Sequence, residues 1–126
     1  MAASPASPAF RVRRVYEEPE PADGVRVLVD RLWPRGLAKD RAAVDEWAKD
    51  LTPSGELRAW YHAHPDEYAE FVRRYRAELA EPELDEPLRR LRDLAAKGPV
   101  TLLTAVRDPE RGHVPVLRAC LEDEDG

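Results

Sequence analysis

The chain has 126 residues, enough for one domain with a real core and too few for two independent ones. Its 36% of charged residues exceeds the quarter usual in soluble domains, so a thin core under a densely charged surface is expected. A formal charge of −5 excludes general affinity for nucleic acid or acidic membranes while leaving room for a local basic pocket. One cysteine excludes an internal disulfide and points to a reducing compartment, the cytoplasm by default.

Residues 1–9 are small residues and prolines with neither a basic segment nor a long apolar run, which predicts a disordered tail and no signal peptide or membrane anchor. Residues 122–126 are almost wholly acidic and read as a second tail. Between them, 10–121 is expected to form a single α/β domain. Residues 10–16 and 25–30 are rich in valine and aromatics and flank a turn-forming stretch, so two strands are predicted. The second puts Val25, Val27 and Val29 on one face and Arg26 with Leu28 on the other, with Arg26 expected near a rim. Residues 17–24 are short for a parallel crossover, which takes about a dozen residues or more, so the pair is expected to be antiparallel or offset.

Val44, Trp47, Ala48 and Leu51 fall at helical spacing and predict a helix over 39–51 with Trp47 in the core. Ser54 is placed to cap a short helix carrying Leu57, Trp60 and Tyr61 and ending near 62–64. Pro65 opens a third helix with the stripe Tyr68, Phe71, Val72, Tyr75 and Leu79. Pro87 opens a fourth, stopped by Gly98 and Pro99 and expected to form a hairpin with the third. The apolar run 100–106 reads as a central strand buried on both faces. Val114, Leu117, Cys120 and Leu121 then predict a closing helix. The expected fold is α/β, a small sheet of about three strands with a parallel central pair, packed by about five helices.

Parallel strands at 25–30 and 100–106 end at the same edge, where ligands of open α/β sheets bind. The loops 31–37 and 107–113 should face each other there. Arg31, Arg35 and Arg107 are candidate anion clamps, because guanidinium forks match carboxylate and phosphate oxygens. Asp30 and His113 are the acid/base candidates, with Asp108 in the second loop and Gly36 permitting a turn. Trp33 reads equally as a stacking platform or as a ring sealing the core. The same charges also fit a latch in which Asp30 pairs with an arginine and no ligand binds. His62 and His64 lack the companions of a metal site, Cys120 lies on an apolar stripe, and Thr104 has no evident base. No cofactor motif is found.

The run from Arg26 to Leu37, through Asp30, Arg31, Leu32, Trp33, Pro34, Arg35 and Gly36, resembles the signature of the YeaO-like proteins, bacterial domain of unknown function family 488. The likeness continues through Val44 to Trp47, Pro53 and Ser54, Glu56 to Arg58, Phe71, Tyr75, Val100 to Leu103, Asp108 and His113. It implies a compact α/β fold and a bacterial cytoplasmic setting, with no assigned activity. It also implies that longer, more distant relatives carry a cysteine near the position of Thr104 and a Cys-His-Arg where this chain has Gly112, His113 and Val114. A helix-turn-helix over 39–61 is disfavoured, because Asp45, Glu46 and Asp50 crowd it. Two functional expectations follow. One is an enzyme-like or metabolite-binding domain taking a small anionic ligand between the two loops. The other is a non-catalytic module for a nucleotide, a nucleic-acid end or a protein partner.

Overall fold

A computed structural model describes residues 10–122, so the tails expected at 1–9 and 123–126 lie outside the described residues. Glu122, assigned to the acidic tail, ends a helix. Its carboxylate accepts from the Phe10 N–H at 3.0 Å and from Arg118 at 3.1 Å.

The protein is α/β. Four strands, β1 (Arg11–Arg14), β2 (Val25–Leu28), β3 (Glu46–Trp47) and β4 (Val100–Thr104), form one sheet in the order β1-β4-β2-β3, with every pairing parallel. As expected, β4 is central and wholly buried. The first two strands do not pair with each other, which corrects the antiparallel or offset expectation. They flank β4, and the short connection crosses it without an α-helix, on the face opposite the long helices.

A buried ion cluster anchors that crossing. Its one helical turn, Pro21–Asp23, brings the Asp23 carboxylate, fully buried, over the sheet. There Oδ2 accepts from Arg13 of β1 at 2.8 Å, from Arg26 of β2 and from the Glu20 N–H at 3.0 Å. The Asp23 carbonyl accepts from the Thr101 hydroxyl of β4 at 2.8 Å. Arg26, expected near a rim, is 3% exposed and donates onward to the Ala42 and Ala43 carbonyls. Next to the cluster, Gly24 has φ +64°, and a Cβ there would lie 2.1 Å from the Pro99 carbonyl oxygen, so only glycine fits where β2 and β4 begin together.

On the helix face, Val27, Val29, Val100 and Leu102 pack beneath α2 (Gly55–Ala63), α3 (Tyr68–Leu79), α4 (Asp85–Lys97) and α5 (His113–Glu122). Ser54 caps α2 as expected, its Oγ accepting from the Leu57 N–H at 3.1 Å. The predicted third helix starts at Tyr68 and not Pro65, after a turn closed by Glu67 N–H to the His64 carbonyl at 3.0 Å. α4 begins two residues ahead of Pro87, which falls in the first turn, where a missing N–H costs nothing. α5 packs against both α3 and α4.

On the opposite face Val15, Leu28 and Leu103 form a small second core with Trp33, Leu37 and Val44. This division breaks the helix expected over 39–51. Only α1 (Lys39–Ala42) is helical before Ala43 turns left-handed at φ +50°, and Glu46 with Trp47 then joins the sheet edge as β3. Backbone pairing wins because Asp45 N–H reaches the Arg26 carbonyl at 2.8 Å and the Asp45 carboxylate takes the Arg26 N–H at 2.9 Å. Val44 thus enters the second core while Leu51 enters the first. Trp47, expected in the core, is 40% exposed. A strand inside 39–61 is also incompatible with a helix-turn-helix. Among the described residues no helix is long and apolar enough to cross a membrane.

Burial alone would raise the Asp23 carboxyl, but the Glu20 N–H and the Arg26 and Arg13 guanidinium groups hold it below its ordinary range. A carboxyl depressed in the folded state stabilises fully above its unfolded pKa of about 3.9, and that contribution is lost as pH falls toward the folded value. Asp23→Asn should therefore lower stability by about 3–5 kcal/mol at neutral pH, because Arg26 stays buried without its counter-charge. In urea unfolding the variant's stability should also change less than wild type's between about pH 5 and pH 3. Identical pH slopes for the two proteins would contradict this account.

Candidate functional site

Parallel pairing brings the carboxyl ends of β2 and β4 side by side, and the ladder extends one step further through Val29 N–H to the Leu103 carbonyl at 3.0 Å. Asp30 follows directly. Its Oδ1 accepts from the Thr104 hydroxyl at 2.7 Å and its Oδ2 from the Ala105 N–H at 2.7 Å, so one carboxylate clamps the ends of both strands. The Thr104 oxygen in turn accepts from the Val106 N–H at 3.1 Å.

His113 reaches the same place from the first residue of α5. Its Nε2 lies 2.7 Å from the Val29 carbonyl, which can only accept, so this nitrogen carries a proton. It also stands 3.5 Å from Asp30 Oδ1. Tyr68 fixes the start of the helix by donating to the Gly112 carbonyl at 2.8 Å, and the Tyr75 ring meets the imidazole edge-on. Burial pushes the Asp30 carboxyl up, yet His113, the Ala105 N–H and the Thr104 hydroxyl together hold it below the usual carboxylate range.

Above this floor lies a groove of about 940 Å³. Arg31 and Arg35 line it from the first loop, while Arg58 and His62 line it from α2. Among the described residues none of the three guanidinium groups has an ion-pair or hydrogen-bond partner. Arg107 and Asp108 are exposed and do not line the groove; the Asp108 carboxylate accepts from the Glu110 N–H at 3.2 Å. The second loop contributes its two ends, Ala105 with Val106 and Gly112 with His113. Gly36 has φ +76°, the left-handed turn expected of it. Trp33 joins the second core, donates to the Leu37 carbonyl at 2.8 Å, meets Trp47 edge-to-face at 5.7 Å and also borders the groove.

Sequence reasoning missed Arg58 altogether and weighed His62 only as a metal ligand. Both were signalled by spacing, since Gly55, Arg58, Ala59 and His62 share the side of α2 that Leu57 does not occupy. A neighbouring groove, which shares Arg31, carries Asp50, Glu56, Glu78, Glu81 and Glu83 against Arg31, Lys49 and Arg74, and is acidic on balance.

A sequence profile described as the inactive DUF488-N3 subclade matches residues 9–125. An uncharacterized protein of Mycobacterium tuberculosis (strain ATCC 25618 / H37Rv) is 48% identical over 111 residues, covering 88% of this chain and 92% of that protein. The uncharacterized protein YeaO of Escherichia coli (strain K12) is 48% identical over 108 residues, covering 86% of this chain and 92% of its own length. No solved structure matches the chain.

The clamp between the strand ends has a measurable consequence. Thr104→Val keeps the shape but removes a donor from Asp30 and an acceptor from Val106, and should destabilise by about 1–3 kcal/mol. Combined with Asp30→Asn, the two changes should be markedly non-additive in urea unfolding, because both act on one hydrogen-bond network. Additive effects would mean that the clamp does not act as a unit.

Proposed function

The chain belongs to the DUF488 family, within the subclade described as inactive, and on that premise we propose that it is a non-catalytic binding domain for a small anionic ligand. The ligand sits in the groove at the carboxyl ends of β2 and β4. One observation carries the reading: three arginines from two separate elements, their guanidinium groups without a partner among the described residues, border a single groove of an otherwise acidic chain. Exposed guanidinium groups that share one groove present donor forks to it, which an oxyanion fills with charge-assisted hydrogen bonds.

Binding is favoured over catalysis because the polar groups beneath the groove are engaged in holding the strand ends and α5 together. Both Asp30 oxygens already accept hydrogen bonds, the Thr104 hydroxyl both donates and accepts, and His113 Nε2 is spent on a carbonyl. Asp30 and His113 then act as the rigid base of the site, with Arg31, Arg35 and Arg58 as its arms and Trp33 as a wall. Arg107 and Asp108, outside the groove, lend at most long-range charge.

Inorganic phosphate should raise the melting temperature of wild-type protein in a saturable way. At tenfold excess over its Kd the gain is about 1.4 kcal/mol, or roughly 3–5 °C for a domain of this size. Arg35→Ala and Arg58→Ala should each shrink the shift, and the double variant should abolish it. A wild-type shift no larger than the double variant's at matched ionic strength would rule out the arginine site.

A further inference from the structure

We propose that the ligand is a phosphate monoester with a flat, unsaturated body, the class represented by nucleoside 5′-monophosphates; this deepens the anion-binding reading of the same groove and rests on it. Charge, extent and wall chemistry converge on that class.

Charge comes first. The groove's three arginines less the Asp30 carboxylate leave two formal positive charges, with the histidines neutral. A phosphate monoester carries about −1.5 to −2 at neutral pH, which balances them, whereas a simple carboxylate leaves one unmatched. A longer phosphate chain fits worse. Past Arg31 the surface passes into the acidic groove that holds Asp50, Glu56 and Glu78, so further anionic groups meet like charge there.

Extent leaves room for more than a bare oxyanion. A groove of about 940 Å³ stands near the upper end of the ~300–1,000 Å³ typical of sites for small organic molecules. A phosphate takes up only part of that space, so an organic body can lie beside it.

The walls define that remainder. Leu32, Trp33 and Pro34 line one part and Pro53, Tyr61 and Phe71 another. Phe71 is buried and stacks behind Tyr61 with centroids 4.4 Å apart and planes within 24°, which holds the Tyr61 ring in place, and the partly exposed rings on the groove are Trp33 and Tyr61. A body made only of a sugar gains less against these apolar walls than one that also carries a planar π-system, which gains stacking. Nucleic acid polymers are disfavoured by the same acidic neighbour that disfavours polyphosphates.

Isothermal titration of the full chain with adenosine monophosphate, glucose 6-phosphate, inorganic phosphate and adenosine tests this. Adenosine monophosphate should bind at least about tenfold more tightly than each of the others, the increment expected of one aromatic–base stack or one charge-paired phosphate. Arg35→Ala should remove most of that affinity, and Trp33→Leu should lower adenosine monophosphate toward the level of inorganic phosphate. Because Trp33 also packs in the second core, quenching of wild-type tryptophan emission by adenosine monophosphate but not by glucose 6-phosphate provides a check that needs no variant. Equal binding of all three phosphates overturns the flat-body inference and leaves the anion site standing. Adenosine binding as well as its monophosphate overturns the phosphate assignment. Failure of every compound to bind overturns both the inference and the reading beneath it.

Discussion

The buried carboxylate of Asp23 is the constraint from which the rest of the architecture follows. It receives Arg13 from β1 and Arg26 from β2, while its backbone carbonyl receives Thr101 from β4, so one residue ties three strands together at their amino ends. Removing several charges from water costs several kcal/mol each unless their hydrogen bonds are met. Here most are. Oδ2 takes three donors, Oδ1 has only Arg11 at 3.3 Å, and the remaining Arg26 donors go to carbonyls at the end of α1. A cluster so specific in its partners selects one register, and that register is what lets a short connection without an α-helix join two parallel strands across a third.

What happens at the other end of the sheet is a consequence. Parallel strands in matched register must finish together, and Asp30 then does at the carboxyl ends what Asp23 does at the amino ends. Its oxygens bind Thr104 and Ala105 across the gap, and His113 adds α5 to the same junction by way of the Val29 carbonyl. The result is a floor whose polar groups are satisfied internally, beneath a rim whose arginines are not. Rigid floor and exposed charged arms are complementary features, since preorganised elements position a site while solvent-facing side chains meet the ligand.

Residues whose environment is set by their own neighbours in the chain were legible in the sequence. Ser54 caps because a hydroxyl at that point satisfies an orphan N–H, and 100–104 forms a buried strand because the run is apolar on both faces. The strand-end rule located Asp30, Arg31, Arg35 and His113 at one edge because it depends only on two strands being parallel. Residues whose partners lie far along the chain were misread. Trp47 sits at perfect helical spacing, yet its surroundings are decided by Arg26 and Asp30, whose carbonyl accepts the Trp47 indole at 2.7 Å. Arg26 looked like a rim residue because no local pattern announces that Asp23 will be buried beside it. Arg58 escaped notice because the spacing that groups it with Gly55, Ala59 and His62 on one side of α2 does not say that this side lies across the first loop.

Thr104 shows how one set of bonds decides both stability and reactivity. The resemblance to longer relatives implied a cysteine near this point, where a thiolate is nucleophilic without much help. A threonine hydroxyl, by contrast, needs a general base within reach. Two bases are nearby. Asp30 is held below the ordinary carboxylate range, which makes it a weak proton acceptor, and it already receives the hydroxyl's proton in a hydrogen bond that holds the strand ends together. His113 presents a protonated Nε2 directed at a backbone carbonyl. The interactions that steady the floor thus engage both Asp30 oxygens, the Thr104 hydroxyl and His113 Nε2, and the cationic rim is left as the part of the site whose donors are unengaged.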